Sequence, residues 1–270
     1  MLSCVTISLL PALAGGPWIY WDPLDQSLAK ASAAGFDGVE LFADDPDRIP
    51  ASRLRCLLDE HRLKLAAVGT GAGKVLHGWT VTDPDAEVRR QARHYIRRMI
   101  DFGAPFGAPA IIGSMQGVVP KGADRARSLD WLAAELQELD RAAGDQGVRL
   151  IYEPLNRYET NLFNRVGDVA AFLAERQMQN VRVLADLFHM NIEETSLAQT
   201  ILDAGDAIGH IHFSDSNRRP VGLGHIDMNP VAEALKRIRY QGYISAEATA
   251  YPNPDAAAAQ TMKSYREWFA

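Results

Sequence analysis

At 270 residues, 47% of them apolar, the chain is long enough to bury a sizeable core, and one α/β domain spanning 1–270 fits that length. A formal net charge of −6 excludes a broad nucleic-acid surface, because neutralising phosphates takes clustered Lys and Arg. Cys4 and Cys56 are too few for a disulfide framework or a thiolate zinc site, and no apolar run reaches the roughly 20 residues of a membrane helix, so a cytoplasmic protein handling a small molecule is expected.

The opening Met1 to Leu13 is apolar but has no basic leader and is broken by Pro11, which reads as a first buried strand rather than a signal peptide. Short apolar or β-branched runs then alternate eight times with longer stretches of helical spacing. Strands are predicted at Val5 to Leu10, Gly38 to Phe42, Lys64 to Gly69, Ala110 to Ser114, Arg149 to Pro154, Val181 to Leu187, Ile208 to Phe213 and Tyr243 to Ala248. Most are nearly continuous in apolar character, as parallel strands covered on both faces are. Helices are predicted to begin near Leu24, Ala51, Glu87, Arg125, Val166, Ser196, Pro230 and Pro254, several at proline or after a capping Asp or Ser. Gly35, Gly144 or Gly147, Gly205 and Gly242 stand where a helix stops and a left-handed residue is useful. Arg89, Arg90, Arg93, Arg97 and Arg98 surround the apolar stripe of the helix that follows strand three and read as a solvated face. Eight such alternations predict a closed (β/α)8 TIM barrel, whose functional groups stand at the C-terminal strand ends and in the loops beyond them.

Glu153, Asp186, His212 and Glu247 meet that requirement, one apiece at the ends of strands five to eight, each about one βα unit from the next. Three carboxylates and one imidazole make a hard donor set suited to Mn²⁺, Mg²⁺ or Co²⁺. Each has a plainer alternative. Glu153 at the barrel rim can pair with Arg157 or Arg165, and Glu247 with Arg218 or a lysine. His189, three residues after Asp186, faces the same pocket or is a packing histidine. His210 alternates with His212 and points to the same side of its strand, either as a core histidine or as a hydrogen-bond partner for a ligand. Glu159 is a second rim acid or an acceptor for substrate hydroxyls, and Arg218 is a clamp for substrate oxygens or a solvated loop residue. The Gly222 to Asp227 stretch has the glycines of a lid.

Gly69 to Lys74 superficially resembles a phosphate loop, but it has three residues rather than four before Gly-Lys, and Val75 follows in place of Ser or Thr. His77 in the same loop, and Gln116 in the glycine-flanked turn after strand four, are further candidates for contact with the pocket.

These residues resemble the xylose-isomerase-like sugar isomerase/epimerase superfamily, and within it the D-tagatose and D-psicose (ketose) 3-epimerases. The specific part runs from Glu153-Pro-Leu-Asn-Arg-Tyr-Glu-Thr through Asp186-Leu-Phe-His-Met and His210-Ile-His-Phe-Ser-Asp-Ser-Asn-Arg to Ser245-Ala-Glu247. The resemblance implies that Glu153, Asp186, His212 and Glu247 bind one divalent metal, usually Mn²⁺, and that Glu159, His189 and Arg218 hold substrate oxygens. It also implies a homodimer or homotetramer. The family tends to place aromatics after strands one and four; here Trp18, Tyr20 and Trp21 follow strand one, and strand four leads into Gly113-Ser-Met-Gln-Gly117.

The expected chemistry is epimerisation at C3 of a ketose through a cis-enediolate, with Glu153 and Glu247 as the two acid/base groups. Aldose–ketose isomerisation, or inosose isomerisation or dehydration, uses the same parts. An abasic-site DNA endonuclease of the same barrel type gathers several zinc ions with many more histidines than the seven present here. A barrel that binds a sugar or polyol without turning it over is the remaining rival.

Overall fold

The computed structural model describes residues 1–10 and 15–269, so residues 11–13 of the opening apolar stretch lie outside it. Eight parallel strands close into a barrel in sequence order: β1 (Leu2–Ser8), β2 (Gly38–Phe42), β3 (Lys64–Gly69), β4 (Ala110–Ile112), β5 (Leu150–Tyr152), β6 (Val181–Asp186), β7 (Ile208–His212) and β8 (Tyr243–Ala246). Closure comes from β8 pairing onto β1, Leu2 opposite Tyr243. The helices between and after them are α1 (Leu24–Ala34), α2 (Ala51–His61), α3 (Ala72–His77), α4 (Ala86–Gly103), α5 (Arg125–Asp145), α6 (Val166–Glu175), α7 (Leu187–Glu193), α8 (Leu197–Ala204), α9 (Met228–Arg237) and α10 (Pro254–Phe269). This is the (β/α)8 TIM barrel that the alternation predicts. None of the described helices is long and apolar enough to cross a membrane.

Alternation along each strand sorts the side chains into two layers. Val5, Ile7, Val39, Leu41, Ile112, Val183 and Ile211 pack outward into the core shared with the helices, all fully buried. Ala67, Ile111, Ile151 and Leu184 form a separate cluster inside the barrel. The rest of the interior is polar: Glu40, His210, His212 and Ser245 are all buried there.

Several boundaries differ from the sequence expectation. β1 begins at Leu2 and stops at Ser8, and β4, β5, β6, β7 and β8 all end one or two residues early. The apolar runs continue past the strand ends because the residues there stay buried: Glu153 and Phe213 still donate backbone hydrogen bonds to Ile112 and Ser245, at 2.9 and 2.7 Å, and Leu187 opens α7. α3 and α7 fall within stretches read as loops. α7 starts where it does because the Asp186 side chain accepts from the N–H groups of Phe188 and His189 at 2.8 and 3.2 Å, capping the helix directly at the strand end. α9 begins at Met228 rather than Pro230, capped by Asp227, which puts the proline in the first turn. Gly35, Gly147 and Gly205 have positive φ, but Gly242 does not; the left-handed residue after α9 is Arg239, at φ 55°. Gly144 lies inside α5.

The arginines of α4 are only partly a solvated face. Arg93 reaches Glu135 on α5 at 2.6 Å, and Arg98 reaches Asp45 and Asp47 at 2.6 and 2.7 Å, so they fasten the helix to its neighbours. Arg90 pairs with Glu87 within α4 and is exposed, as is Arg97.

Candidate metal centre

The C-terminal mouth of the barrel holds a cavity of about 380 Å³. Its floor carries Glu153, His212, Glu247, His189 and Arg218, Glu159 stands at its rim, and its walls are largely apolar. Among the aromatics after β1, Trp18 lines the cavity, whereas Tyr20 is buried beside Ile7. No aromatic follows β4; Phe42 at the end of β2 and Phe188 in α7 take that place.

His212, on the last residue of β7, is the hub. Its Nδ1 lies 3.2 Å from Glu153 Oε1 and 3.3 Å from both Asp186 Oδ2 and Glu247 Oε2. One donor atom from each of the four residues falls within 4.8 Å of every other, and all four side chains are buried. Glu153 stands one residue beyond the β5 ladder, Asp186 on the last residue of β6 and Glu247 one residue beyond β8, so barrel geometry alone aims them at a common point. Three oxygens and one nitrogen, brought together out of water, fit a hard divalent cation.

The charges support that fit. Burial pushes Asp186 up, but the Arg218 guanidinium, then His189 and His212, outweigh it and hold its carboxyl well below the usual range. Burial opposes charge on His212, but Glu40, then the bonds to Asp186 and Glu153, hold its pKa well above the ordinary value. Asp186 and Glu247 share the Arg218 guanidinium while Glu153 and Glu40 have none beside them, and buried carboxylates in excess of cations are costly.

Arg218 bridges Asp186 and Glu247, with its guanidinium 5.0 Å from the centre of the Phe188 ring. The pairing of Glu247 with Arg218 and its membership of the cluster are therefore both present. For Glu153 the rim alternative fails, because Arg157 pairs with Glu193 at 2.9 Å and Arg165 with Glu194 at 3.5 Å. The Gly222 to Asp227 stretch does not line the cavity and is not arranged as a lid. The buried Asp215 carboxylate accepts from the N–H groups of Ser216, Gly222 and Ile226 at 2.7, 2.8 and 3.1 Å, pinning this loop and with it Arg218.

His189 sits in α7 rather than in a loop. Its Nδ1 lies 3.2 Å from the Asn156 backbone N–H and 2.8 Å from the Asn156 side-chain amide. A backbone N–H only donates, so Nδ1 accepts and the ring proton sits on Nε2, which points toward Glu153 at 3.9 Å. Glu159 Oε1 accepts from the same Asn156 amide at 3.0 Å, and its side chain is half exposed at the rim.

Gln116 does not reach the cavity. It is buried, donates to the Gly113 and Glu153 carbonyls at 3.0 and 2.9 Å, and accepts from the Tyr152 hydroxyl at 2.7 Å, so it holds the backbone that carries Glu153. His77 is exposed and stacked on Trp79 at 4.2 Å, outside the cavity lining, because α3 turns its C-terminal end outward. His210 bonds Glu40 at 2.9 Å rather than any member of the cluster.

Glu40 and Asn156 are the residues that sequence reasoning passed over. Glu40 leaves a trace, an acid alone in the apolar run Gly38-Val-Glu-Leu-Phe42, in the middle of its strand rather than at the end. Asn156 leaves none, because its effect depends on where His189 arrives from another strand.

Gly113 offers a direct test of the geometry. A Cβ there would lie 2.5 Å from Glu153 Oε2, so Gly113→Ala is expected to push the carboxylate aside. A displacement near 1 Å costs about 10²-fold in rate. Turnover should fall by that order while the circular dichroism spectrum holds; unchanged turnover would mean that the position of this oxygen does not matter.

The xylose isomerase-like TIM barrel family matches residues 28–268. The chain belongs to that family. Members similar to it include an L-ribulose 3-epimerase from Methylomonas sp. (strain DH-1), 31% identical over 89% of this chain and 84% of that protein. A 3-dehydro-D-guloside 4-epimerase from Escherichia coli (strain K12) is 34% identical over 62% of this chain and 66% of that one. Among solved structures, a D-allulose 3-epimerase from Methylomonas sp., in complex with D-allulose, superposes with a TM-score of 0.80 at 26% identity, over 100% of this chain and 98% of that one. Like these family members, the chain is an isomerase.

Proposed function

We propose that the chain is a metal-dependent ketose 3-epimerase acting on an unphosphorylated sugar. The observation that carries this reading is the convergence of Glu153 and Glu247 on His212 Nδ1, at 3.2 and 3.3 Å, in a cavity that also presents His189 and Arg218. Glu153, Asp186, His212 and Glu247 would hold the metal. A divalent cation there, Mn²⁺ by its liking for this donor set, supplies the positive charge that makes a proton beside a carbonyl acidic.

The remaining work falls to the protein. One of the two glutamates takes the C3 proton, and the other returns a proton to the opposite face of the planar cis-enediolate, which inverts C3. His189, with its proton on Nε2, donates to a substrate oxygen. Glu159 accepts from a hydroxyl at the rim, and Arg218 faces the developing negative charge. Arg218 is the sole Lys or Arg among the described residues lining the cavity, and two carboxylates already engage it. Among the described residues, Trp18, Val75 and Leu155 in the walls carry no positive charge for a phosphate.

The test is a panel of ketopentoses, ketohexoses, 3-keto sugars and inososes, incubated with the Mn²⁺-loaded protein in deuterated water and read by NMR. Exchange and inversion at C3 of a ketose are expected. An aldose product means aldose–ketose isomerisation, and exchange at C4 means a 4-epimerase. Absence of exchange from every substrate would overturn the ketose 3-epimerase reading.

A further inference from the structure

Glu40 is a carboxylate buried to 0% exposure in the middle of β2, with neither Lys nor Arg beside it. Its Oε1 lies 3.2 Å from His212 Nε2, on the side of the ring away from the Glu153, Asp186 and Glu247 cluster. Its Oε2 lies 2.9 Å from His210 Nε2 and accepts from the Ser245 hydroxyl at 2.9 Å. Three donors from β7 and β8 thus meet one acid that crosses the barrel interior from β2. The register slips between Val39 and Glu40 in the β2–β3 ladder and between Val183 and Leu184 in the β6–β7 ladder. Irregularities of this kind re-aim side chains, and here they sit beside Glu40 and beside His210.

We infer that Glu40 is a positioning residue for the metal centre: it fixes His212 with a proton on Nε2, leaving the Nδ1 lone pair directed at the three carboxylates. This rests on the proposed metal site. An acid in this role does two things that a neutral filler would not. It accepts only, so the nitrogen facing it must be the protonated one, and its charge raises electron density at the opposite nitrogen, making a better ligand. His210 and Ser245 both bond Oε2, which leaves Oε1 to His212 and sets the plane of the carboxylate. If Glu40 served only to fill the barrel, an amide of the same shape would satisfy the same space with no charge to bury.

The experiment compares the wild-type protein with Glu40→Gln, titrating Mn²⁺ by calorimetry and recording imidazole ¹⁵N–¹H correlations of the Mg²⁺-bound proteins. One ion per chain is expected. Glu40→Gln should weaken Mn²⁺ by about 10- to 100-fold, the usual loss when a ligand's hydrogen-bond partner is removed. The ion takes Nδ1, so His212 keeps its proton on Nε2 in both proteins, but that proton signal should move upfield in Glu40→Gln as its acceptor changes from carboxylate to amide. A folded Glu40→Gln protein with wild-type affinity and an unchanged His212 pattern would overturn the inference. So would two ions per chain, since Glu40, His210 and His212 lie close enough to hold one themselves. Should Glu40→Gln fail to fold, Ser245→Ala keeps the acid while removing one of its supports. Weakened Mn²⁺ binding is then expected, and unchanged binding overturns the inference. If the wild-type protein itself bound no Mn²⁺, the reading of the site would fall, and the metal-free wild type and variant would decide the role of Glu40 separately: a His212 Nε2–H signal that moves upfield in Glu40→Gln upholds it, and identical spectra overturn it.

Discussion

Glu247→Gln at saturating Mn²⁺ is expected to lower kcat by about 10²- to 10⁴-fold, the ordinary worth of a positioned general acid or base. The amide keeps the shape of the side chain and an oxygen for Arg218, so the melting temperature should change little. Since the lost interaction belongs to proton transfer, kcat and kcat/KM should fall together. The two-base scheme adds a sharper signature. With one glutamate gone, the other still removes and returns a proton on its own face. One epimer of the substrate should therefore exchange deuterium without inverting, while the other epimer exchanges little. Glu153→Gln should show the complementary pattern. Near-normal turnover in both variants would end the scheme, and equal loss of exchange from both epimers in either variant would show that the two acids act as one unit.

Removing the metal is expected to abolish turnover, and restoring it should raise the melting temperature. An ion present at 100 times its Kd adds about 2.7 kcal/mol to a folded state that alone binds it. For a chain of this size that is roughly 5–10 °C. The gain should grow with pH. In the metal-free protein His212 has a raised pKa, chiefly through Glu40 against burial, so its contribution to stability is complete below the ordinary histidine value of 6.5 and is lost as pH rises through the folded value. Asp186 is depressed, chiefly by Arg218 against burial, so its contribution is present above the ordinary value of 3.8 and is lost as pH falls. The metal-free protein should be most stable between those limits. A cation at Nδ1 must displace the His212 proton, so affinity climbs with pH until that proton is gone. A metal-induced gain in melting temperature that is flat from pH 6 to 9 would contradict this account of His212.

The eightfold alternation and the C-terminal strand-end positions of Glu153, Asp186, His212 and Glu247 are legible in the sequence, because both follow from period and spacing along one strand at a time. A parallel strand buried on both faces writes itself as an apolar run, and a polar residue at its end stands out. The reach of each run was less legible: β4 to β8 stop short of their apolar segments, because burial against the pocket wall and burial in the ladder look alike in composition. The helix α7 was hidden because Asp186 serves at once as strand terminus, helix cap and member of the cluster.

By itself the sequence determined the barrel and which side chains could gather at its mouth, since hydrophobic period and strand order depend on nearest neighbours along the chain. Closure decided the rest. Only once β8 meets β1 does Glu40 come across from β2 to His212, does Asn156 orient His189, and does Arg218 choose Asp186 and Glu247 over solvent. These are contacts between residues tens to more than a hundred positions apart, set by the curvature of the sheet, and no local pattern encodes them.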